Sequence, residues 1–270
     1  MMRRRLLLSL AAASSLAVPF TARAAQRKSL ADPLLMGVEQ ALLDSGLGQA
    51  FQKGFGRDTG VAVQVSGGQS AALIQALERG EIDMAMTNAP ELEMQLEKQG
   101  LAHDRHRVAV GDYVLIGPVE GKGKKAKDPA GVLGGKDIGA ALMGIANAQA
   151  RFLGNNNGSG AALAELPLWR ASKVAPVAPW YVTADPKSSI VAQAAAQNAY
   201  AVVERGVWLS HPVKPLAIVV EGDPLLVTEV HVMRAFRVNH PAAKLFTQWI
   251  SGPQGRRVAS GVRGWRSVTG

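Results

Sequence analysis

The chain has 270 residues, and its 30 Lys and Arg against 21 Asp and Glu give a formal net charge of +9 at pH 7. Apolar residues make up 47% of the chain, and cysteine is absent. That apolar fraction predicts a folded core, and the length allows one large domain or two lobes. The lack of cysteine excludes disulfides, thiolate metal sites and cysteine nucleophiles.

The N-terminus has the pattern of a signal peptide. Three arginines at 3–5 precede a Leu- and Ala-rich apolar run over 6–16, and a small-x-small sequence ends at Ala24. We expect cleavage near Ala24, which removes residues 1–24 and leaves a periplasmic protein. The alternative is an uncleaved anchor, but the apolar run is short for a membrane core that needs about 20 residues.

Cleavage there changes the charge of the protein. The leader carries four arginines and no acid, so the mature chain keeps 26 − 21 = +5. Four lysines between 122 and 127 supply most of this excess, and no aromatic residue lies among them. A nucleic-acid surface would interleave basic with aromatic residues, so we predict a solvated loop and no nucleic-acid partner.

Beyond the leader, predicted strands and helices alternate. The strands are predicted at 33–38, 61–65, 82–86, 108–116, 151–153, 180–183, 200–203, 215–220 and 225–236. The helices are predicted at 44–59, where Asp44 and Ser45 are the expected caps, and at 71–79, 90–99, 137–150, 161–172, 188–197, 242–251 and 253–261. The alternation predicts an α/β fold with mixed, mostly parallel sheets flanked by helices.

Three predicted turns are rich in Gly, Ser and Asn: 44–46, 66–70 and 154–160. In an open α/β sheet, ligands bind beyond the carboxyl ends of strands, where helix N-termini present free N–H groups. The alternative is that each turn only caps its helix, because Ser, Asn and Asp are common caps. The residues alone do not distinguish ligand-binding turns from simple helix caps.

Motifs for catalysis are weak. His103 and His106 are three residues apart beside Asp104, which allows a metal site, but arginines surround them and a solvated surface turn over 103–107 is the better interpretation. The sequence around Ser159 lacks the spacing of a nucleophile elbow and has no placed histidine. We therefore predict no enzymatic activity, no cofactor and no metal.

A series of landmarks runs in order along the mature chain: Asp44–Leu47, Phe55–Gly60, Gly68–Gln69, Gly80–Met86 with Pro90, Asp112–Pro118, Phe152, Ser159–Gly160, Glu165, Leu168–Trp169, Trp180–Tyr181, Ala199–Tyr200 and Arg205–Gly206. With these the chain resembles the tungstate-type substrate-binding proteins of ABC transporters, within the two-lobed, hinged periplasmic binding proteins. The resemblance implies a ligand cleft between lobes and an ABC permease as partner. We expect lobe one at 28–116 plus 214–270, lobe two at 117–213, and a monomer.

The ligand positions depart from the family pattern. The family's Thr/Ser-rich stretch after the first strand corresponds to residues 38–42 of this chain, where Glu39 is the one acid. The family's arginine-containing turn corresponds to residues 154–157, which include three asparagines. An ionised Glu39 would repel a nearby dianion. The remaining amide-rich set suits a neutral or zwitterionic solute with a cationic group facing Glu39. The predicted ligand-binding residues are Glu39, Gln40, Ser45, Ser66, Gly67, Gly68, Gln69, Asn88, Asn155, Asn156, Asn157, Ser159 and Ser188.

These observations predict an extracytoplasmic solute-binding protein for an ABC importer. Its ligand is a tungstate- or molybdate-like oxyanion by resemblance, or a retuned polar solute. One alternative is a sensory or partner-binding protein with a repurposed cleft. Another is an exported hydrolase, which would need Ser159 as an activated nucleophile.

Overall fold

A computed structural model describes residues 29–268, and the predicted signal peptide lies outside the described residues. The strands within this range are β1 Leu34–Glu39, β2 Val63–Gly68, β3 Met84–Thr87, β4 Ala102–Pro118, β5 Phe152–Gly154, β6 Tyr181–Thr183, β7 Ala201–Glu204, β8 Leu216–Val220 and β9 Val227–Ala235. The helices are α1 Gln40–Asp44, α2 Leu47–Thr59, α3 Ser70–Arg79, α4 Pro90–Lys98, α5 Ile138–Asn147, α6 Gly160–Ser172, α7 Ile190–Gln197, α8 Arg205–Ser210, α9 Pro241–Ser251 and α10 Pro253–Ser260.

The long strand β4 joins two sets of strands. Up to Asp112 it pairs with β9 in the order β2-β1-β3-β9-β4. From Tyr113 onward it pairs with β7 and β8, and the small sheet β5-β6 is bridged to this set beside β7. We call the first set, with its helices, the first half of the molecule and the second set, with its helices, the second half.

The mixed α/β architecture is confirmed, but the prediction that most strands pair in parallel is wrong. Strand β1 pairs parallel with β2 and β3, and β5 with β6. The pairings β3–β9, β4–β7, β4–β8 and β4–β9 are antiparallel. Strands β8 and β9 follow each other along β4 with only residues 221–226 between them, so both run opposite to it.

The chain passes between the halves at two points that differ from the predicted boundaries. The pairing of β4 changes at 112–113, and the return lies in 221–226, whereas the sequence placed 113–116 and 214–220 in the first lobe. Arg205 joins the two points, since its guanidinium lies 2.5 Å from Asp112 Oδ2 and 2.6 Å from Glu221 Oε2. These two ion pairs tie both crossovers to the start of α8.

Regularly spaced apolar side chains pack helix α2 against the core. Leu47, Phe51 and Phe55 recur every four residues along α2 and are fully buried, so they form one face of that helix. They pack with α9, where the ring centroids of Phe55 and Phe246 are 4.9 Å apart. No helix within residues 29–268 is long and apolar enough to span a bilayer.

Three local predictions are wrong. Residues 103–107 belong to β4 rather than to a surface turn, because His103, His106 and Arg107 pair with β9. Asp104, at φ +51°, lies in a bulge between them and forms an ion pair with Arg234 (2.6 Å). Ser45 ends the unpredicted helix α1, and Gly46, at φ +83°, precedes α2 instead. The sequence also places no helix between the strands at 200–203 and 215–220, where the structure has the short helix α8.

Candidate ligand-binding cleft

A cleft of about 490 Å³ lies between the two halves, beyond the carboxyl ends of β1, β2, β5 and β7. Its volume falls in the range of small-molecule sites. The first half contributes Glu39, Gln40, Ala41, Asp44, Gly68 and Gln69. The second half contributes Asn155, Asn156, Asn157, Ser159, Ala161, Ala184, Asp185, Pro186, Lys187, Ser188, Ser189, Ile190, Val202, Val203, Glu204 and Val207.

The structure brings most of the predicted ligand-binding residues to this cleft. The predicted residues in the lining are Glu39, Gln40, Gly68, Gln69, Asn155, Asn156, Asn157, Ser159 and Ser188. They come from separate turns, which meet because the parallel strands β1 and β2 end at one edge and β5 and β7 end opposite them. The two turns at 66–70 and 154–160 therefore face each other across one site.

Four predicted residues lie elsewhere. Ser45 is buried behind α1, where its hydroxyl donates to the Leu42 carbonyl (3.2 Å) and accepts from Trp265 Nε1 (3.1 Å). Ser66 and Gly67 are exposed in β2, outside the lining. Asn88 is buried beside the cleft and belongs to the contact between the halves.

Asn88 bonds across the two halves. Its Nδ2 donates to Glu204 Oε1 and to the Tyr113 hydroxyl, both at 3.1 Å. Nearby, the Ala71 N–H donates to the Gly158 carbonyl at 3.0 Å. A Cβ at Gly160 would lie 1.9 Å from Asn88 Oδ1, so this close approach requires glycine. The halves thus touch directly behind the cleft.

Glu39 is fully buried at the end of β1. Its Oε2 accepts from the Ser70 backbone N–H at 2.5 Å and from the Ser70 hydroxyl. The pKa of Glu39 is raised to about 7, because burial and, to a smaller extent, the nearby Glu204 raise it more than Ser70 and the Gly160 backbone lower it. Glu39 therefore faces donors of the chain itself, in addition to the ligand space that the sequence predicted for it.

The turn after β5 serves both as a helix cap and as a cleft wall. The N–H and Nδ2 of Asn155 donate to Glu165 Oε1 at 3.0 and 2.7 Å. Burial raises the pKa of Glu165 to about 8. Ser159 Oγ accepts from the Ala162 N–H at 3.1 Å and caps α6. Since these residues also line the cleft, the two interpretations of this turn are compatible.

Sequence reasoning missed several lining residues, namely Asp44, Asp185, Lys187, Ser189 and Glu204. The turn at 184–187 follows β6 and precedes α7, so it is another strand-to-helix turn that the same rule would have selected. Glu204 gives a weaker signal, because an acid at the end of a buried strand resembles an ordinary helix start. Among the described lining residues, four are acids and Lys187 is the single base, so the cleft is formally acidic.

Metal-ligating side chains are also scattered. Within the described part of the chain, no three His, Asp, Glu or Cys residues come together as a candidate metal site. His231 lies against buried Glu93, with Nδ1 2.9 Å from Oε2, and neither residue lines the cleft. The polar groups of the cleft are carboxyls, amides, hydroxyls and the Lys187 ammonium group, which bind solutes by hydrogen bonds and charge.

Two strand sets joined by two crossovers, with a polar cleft between them, define the class of hinged binding proteins. The family model of the PBP superfamily domain matches residues 29–253, and the chain belongs to this family. It is 26% identical over 224 residues to the tungstate-binding protein TupA of Peptoclostridium acidaminophilum, covering 80% of this chain and 77% of that protein.

Two solved structures are similar over most of the chain. The tungstate ABC transporter structure from Geobacter sulfurreducens has a TM-score of 0.73 at 26% identity, covering 85% of this chain and 98% of the other. The tungstate-binding protein TupA from Desulfovibrio alaskensis G20 has a TM-score of 0.70 at 23% identity, covering 88% and 100%, and supports the fold. The predicted resemblance, the two-lobed fold and the class of solute-binding proteins are confirmed.

Proposed function

We propose that the mature chain is a monomeric periplasmic protein that captures a small polar solute in the cleft and presents it to an ABC permease. The family assignment and the transporter proteins it resembles support this role. We assign residues 29–112 and 227–268 to one lobe and 113–220 to the other, on the basis of strand pairing, with 221–226 as the second crossover. The signal peptide at 1–24 supplies export.

The lining supports a solute that carries a cationic group rather than an oxyanion. Asp44 and Asp185 outnumber the single cation Lys187 in the described lining. Glu39 and Glu204, whose pKa values burial raises, add negative charge as the pH rises. Like charges at short range in a partly desolvated cleft repel by several kcal/mol, so a dianion is disfavoured. Amide side chains donate and accept, which suits a solute with mixed polar groups.

Capture in such a cleft biases closure, because only groups from both halves together satisfy the solute. Gln40 and Asp44 face it from the first half, and Asn156 and Asp185 from the second. A solute that binds both sets favours the closed form by the difference in affinity. No bond is broken in this mechanism: Ser159 Oγ already caps α6, and none of the described lining residues is a histidine.

The experiment is a thermal-shift panel on the purified mature chain. It compares polyamines, basic and neutral amino acids, sugars, and the oxyanions tungstate, molybdate, sulfate and phosphate. A solute at 100 times its Kd adds about 2.7 kcal/mol, a shift of about 5–10 °C for a chain of this size. We expect shifts from cationic or zwitterionic solutes.

The variant Asp44→Asn tests the role of the cleft charge. It should weaken binding of the solute found, whereas Glu97→Gln, which removes an exposed acid on α4 away from the cleft, should not. Stabilisation by oxyanions alone would contradict the proposed ligand class. No shift with any solute, together with a stable co-purifying protein, would favour the alternative of a partner-binding protein with a repurposed cleft.

A further inference from the structure

The amino ends of two long helices meet at one side chain. Helix α3, of 10 residues, begins at Ser70 in the first half, and α6, of 13 residues, begins at Gly160 in the second. Strand β1 ends at Glu39, which places that carboxyl group against both helix starts. The aligned peptide dipoles and unpaired N–H groups of a helix start attract negative charge, so this is an anion-binding position.

Glu39 makes the contacts that a bound anion would make there. Its Oε2 takes both the N–H and the hydroxyl of Ser70, and the Gly160 backbone lies close enough to lower its pKa. The side chain is fully buried, and Oε1 has no further hydrogen-bond partner in the described residues. A carboxyl group of the chain itself therefore occupies this position.

We propose that the Glu39 carboxyl group fills the position between the starts of α3 and α6 and excludes an oxyanion ligand from it. Ser70 has both of its donors engaged, so an incoming oxyanion would have to displace Glu39 to reach them. A second negative charge beside an ionised Glu39 would also be repelled. The position is thus a specificity determinant, whichever solute occupies the rest of the cleft.

The Glu39 carboxyl group lies at the junction of the two halves. Ser70 belongs to the first half and Gly160 to the second, and the Ala71 to Gly158 backbone bond lies immediately beside them. In a hinged protein, an oxyanion bound here would bridge the halves and favour closure. Because Glu39 already engages both donors of Ser70, a ligand's contribution to closure must come from the adjoining cleft.

The test is calorimetric titration of tungstate and molybdate at pH 8, above the pKa of about 7 of Glu39. Wild type is compared with Glu39→Ser and Glu39→Ala, which vacate the position, with Glu39→Gln, which keeps it filled but neutral, and with Glu97→Gln, which removes an exposed acid away from the cleft. We expect wild type and Glu97→Gln to bind the oxyanions equally weakly. Glu39→Ser or Glu39→Ala should gain at least tenfold in affinity, and Glu39→Gln should gain much less.

Several results would overturn the proposal. One is tungstate binding by wild type as tight as by the vacated variants, and another is no gain in either vacated variant that circular dichroism shows to be folded. Equal gains in Glu39→Gln and Glu39→Ser would mean that charge, not occupancy, excludes the oxyanion. Adding Ser70→Ala to Glu39→Ser should abolish the gain. The solute panel on wild type tests the transport role separately, so failure of one proposal is distinguishable from failure of the other.

Discussion

Two buried glutamates, one in each half, have similar chemistry and different tasks. Glu39 and Glu165 are both almost fully buried, both accept a backbone N–H at a strand-to-helix turn, and burial raises the pKa of both. The partners of Glu165 lie in its own half, at Asn155. Glu39 interacts with both halves and lines the cleft. The role of a buried carboxyl group therefore depends on which helices, strands and turns contact it.

The two glutamates also differ in how they contribute to the walls of the cleft. Glu165 holds the loop that begins at Asn155, so the asparagine side chain has its Nδ2 donors committed to Glu165 and to the Val202 carbonyl (3.2 Å). This leaves Asn156 as the more exposed amide of that turn. Glu165 is therefore a positioning residue for one wall of the cleft, while Glu39 is part of the opposite wall.

The largest expected effect is on the pH dependence of stability. Both acids have an ordinary pKa near 4.5 when unfolded and raised values, about 7 and about 8, when folded. Their protonated forms favour the fold, so stability is fully present below pH 4.5 and falls as the pH rises through 7 and 8. The loss from Glu39 alone is about 3 kcal/mol. Urea unfolding at pH 5 and pH 8.5 measures it.

Glu39→Gln and Glu165→Gln provide the controls for that pH dependence. Each should make the free energy of unfolding less dependent on pH, and the double variant should reduce the dependence more than either single variant. A double variant with the wild-type pH profile would show that neither glutamate carries the effect. The buried Glu204, whose pKa burial also raises, would then be the next group to test.

Glu165→Ala separates the structural glutamate from the cleft glutamate. It leaves two donors of Asn155 without their acceptor and opens a cavity, so we expect a loss of about 2–4 kcal/mol in the free energy of unfolding at pH 6. Glu165→Gln keeps an acceptor oxygen and should lose about 1 kcal/mol or less. Equal losses in both variants would refute the positioning role, as measured by urea unfolding.

Ser159→Ala tests how much the N-terminal cap of α6, in the second half, contributes to the stability of the fold. Ser159 is buried and accepts from Ala162 at 3.1 Å, while Ser189 is an exposed cap of α7 with a 3.4 Å bond to Ala192. We expect a loss of about 1 kcal/mol for Ser159→Ala. Ser189→Ala should lose less, and the reverse order in thermal unfolding would contradict the assignment.

The smallest expected effect is at Ser66. The sequence predicted this residue as a ligand contact, but the side chain is exposed in β2 outside the lining. Ser66→Ala should therefore leave the affinity for any solute found in the panel unchanged within error, while Gln40→Ala, in the lining, should weaken it. A loss of affinity at Ser66 equal to that at Gln40 would place the ligand outside this cleft.

Local patterns predicted most elements within a few residues. The helix at 188–197 and the strand at 82–86 were found because caps, glycines and apolar spacing lie within the segment itself. The strand over 103–107 was not predicted, because its polar residues are placed in the sheet by pairing with β9, more than 120 residues further on. No local signal contains that pairing.

The sequence by itself determined the α/β alternation, the apolar core, the family and the turns that reach the cleft, because each depends on residue type and spacing. The tertiary structure alone decided which groups meet. Glu39 lies 31 residues from Ser70 and 121 from Gly160, and only the packing of the two halves brings the starts of α3 and α6 to its carboxyl group. Charge and hydrogen bonding act over a few ångströms, so the role of Glu39 depends on that packing.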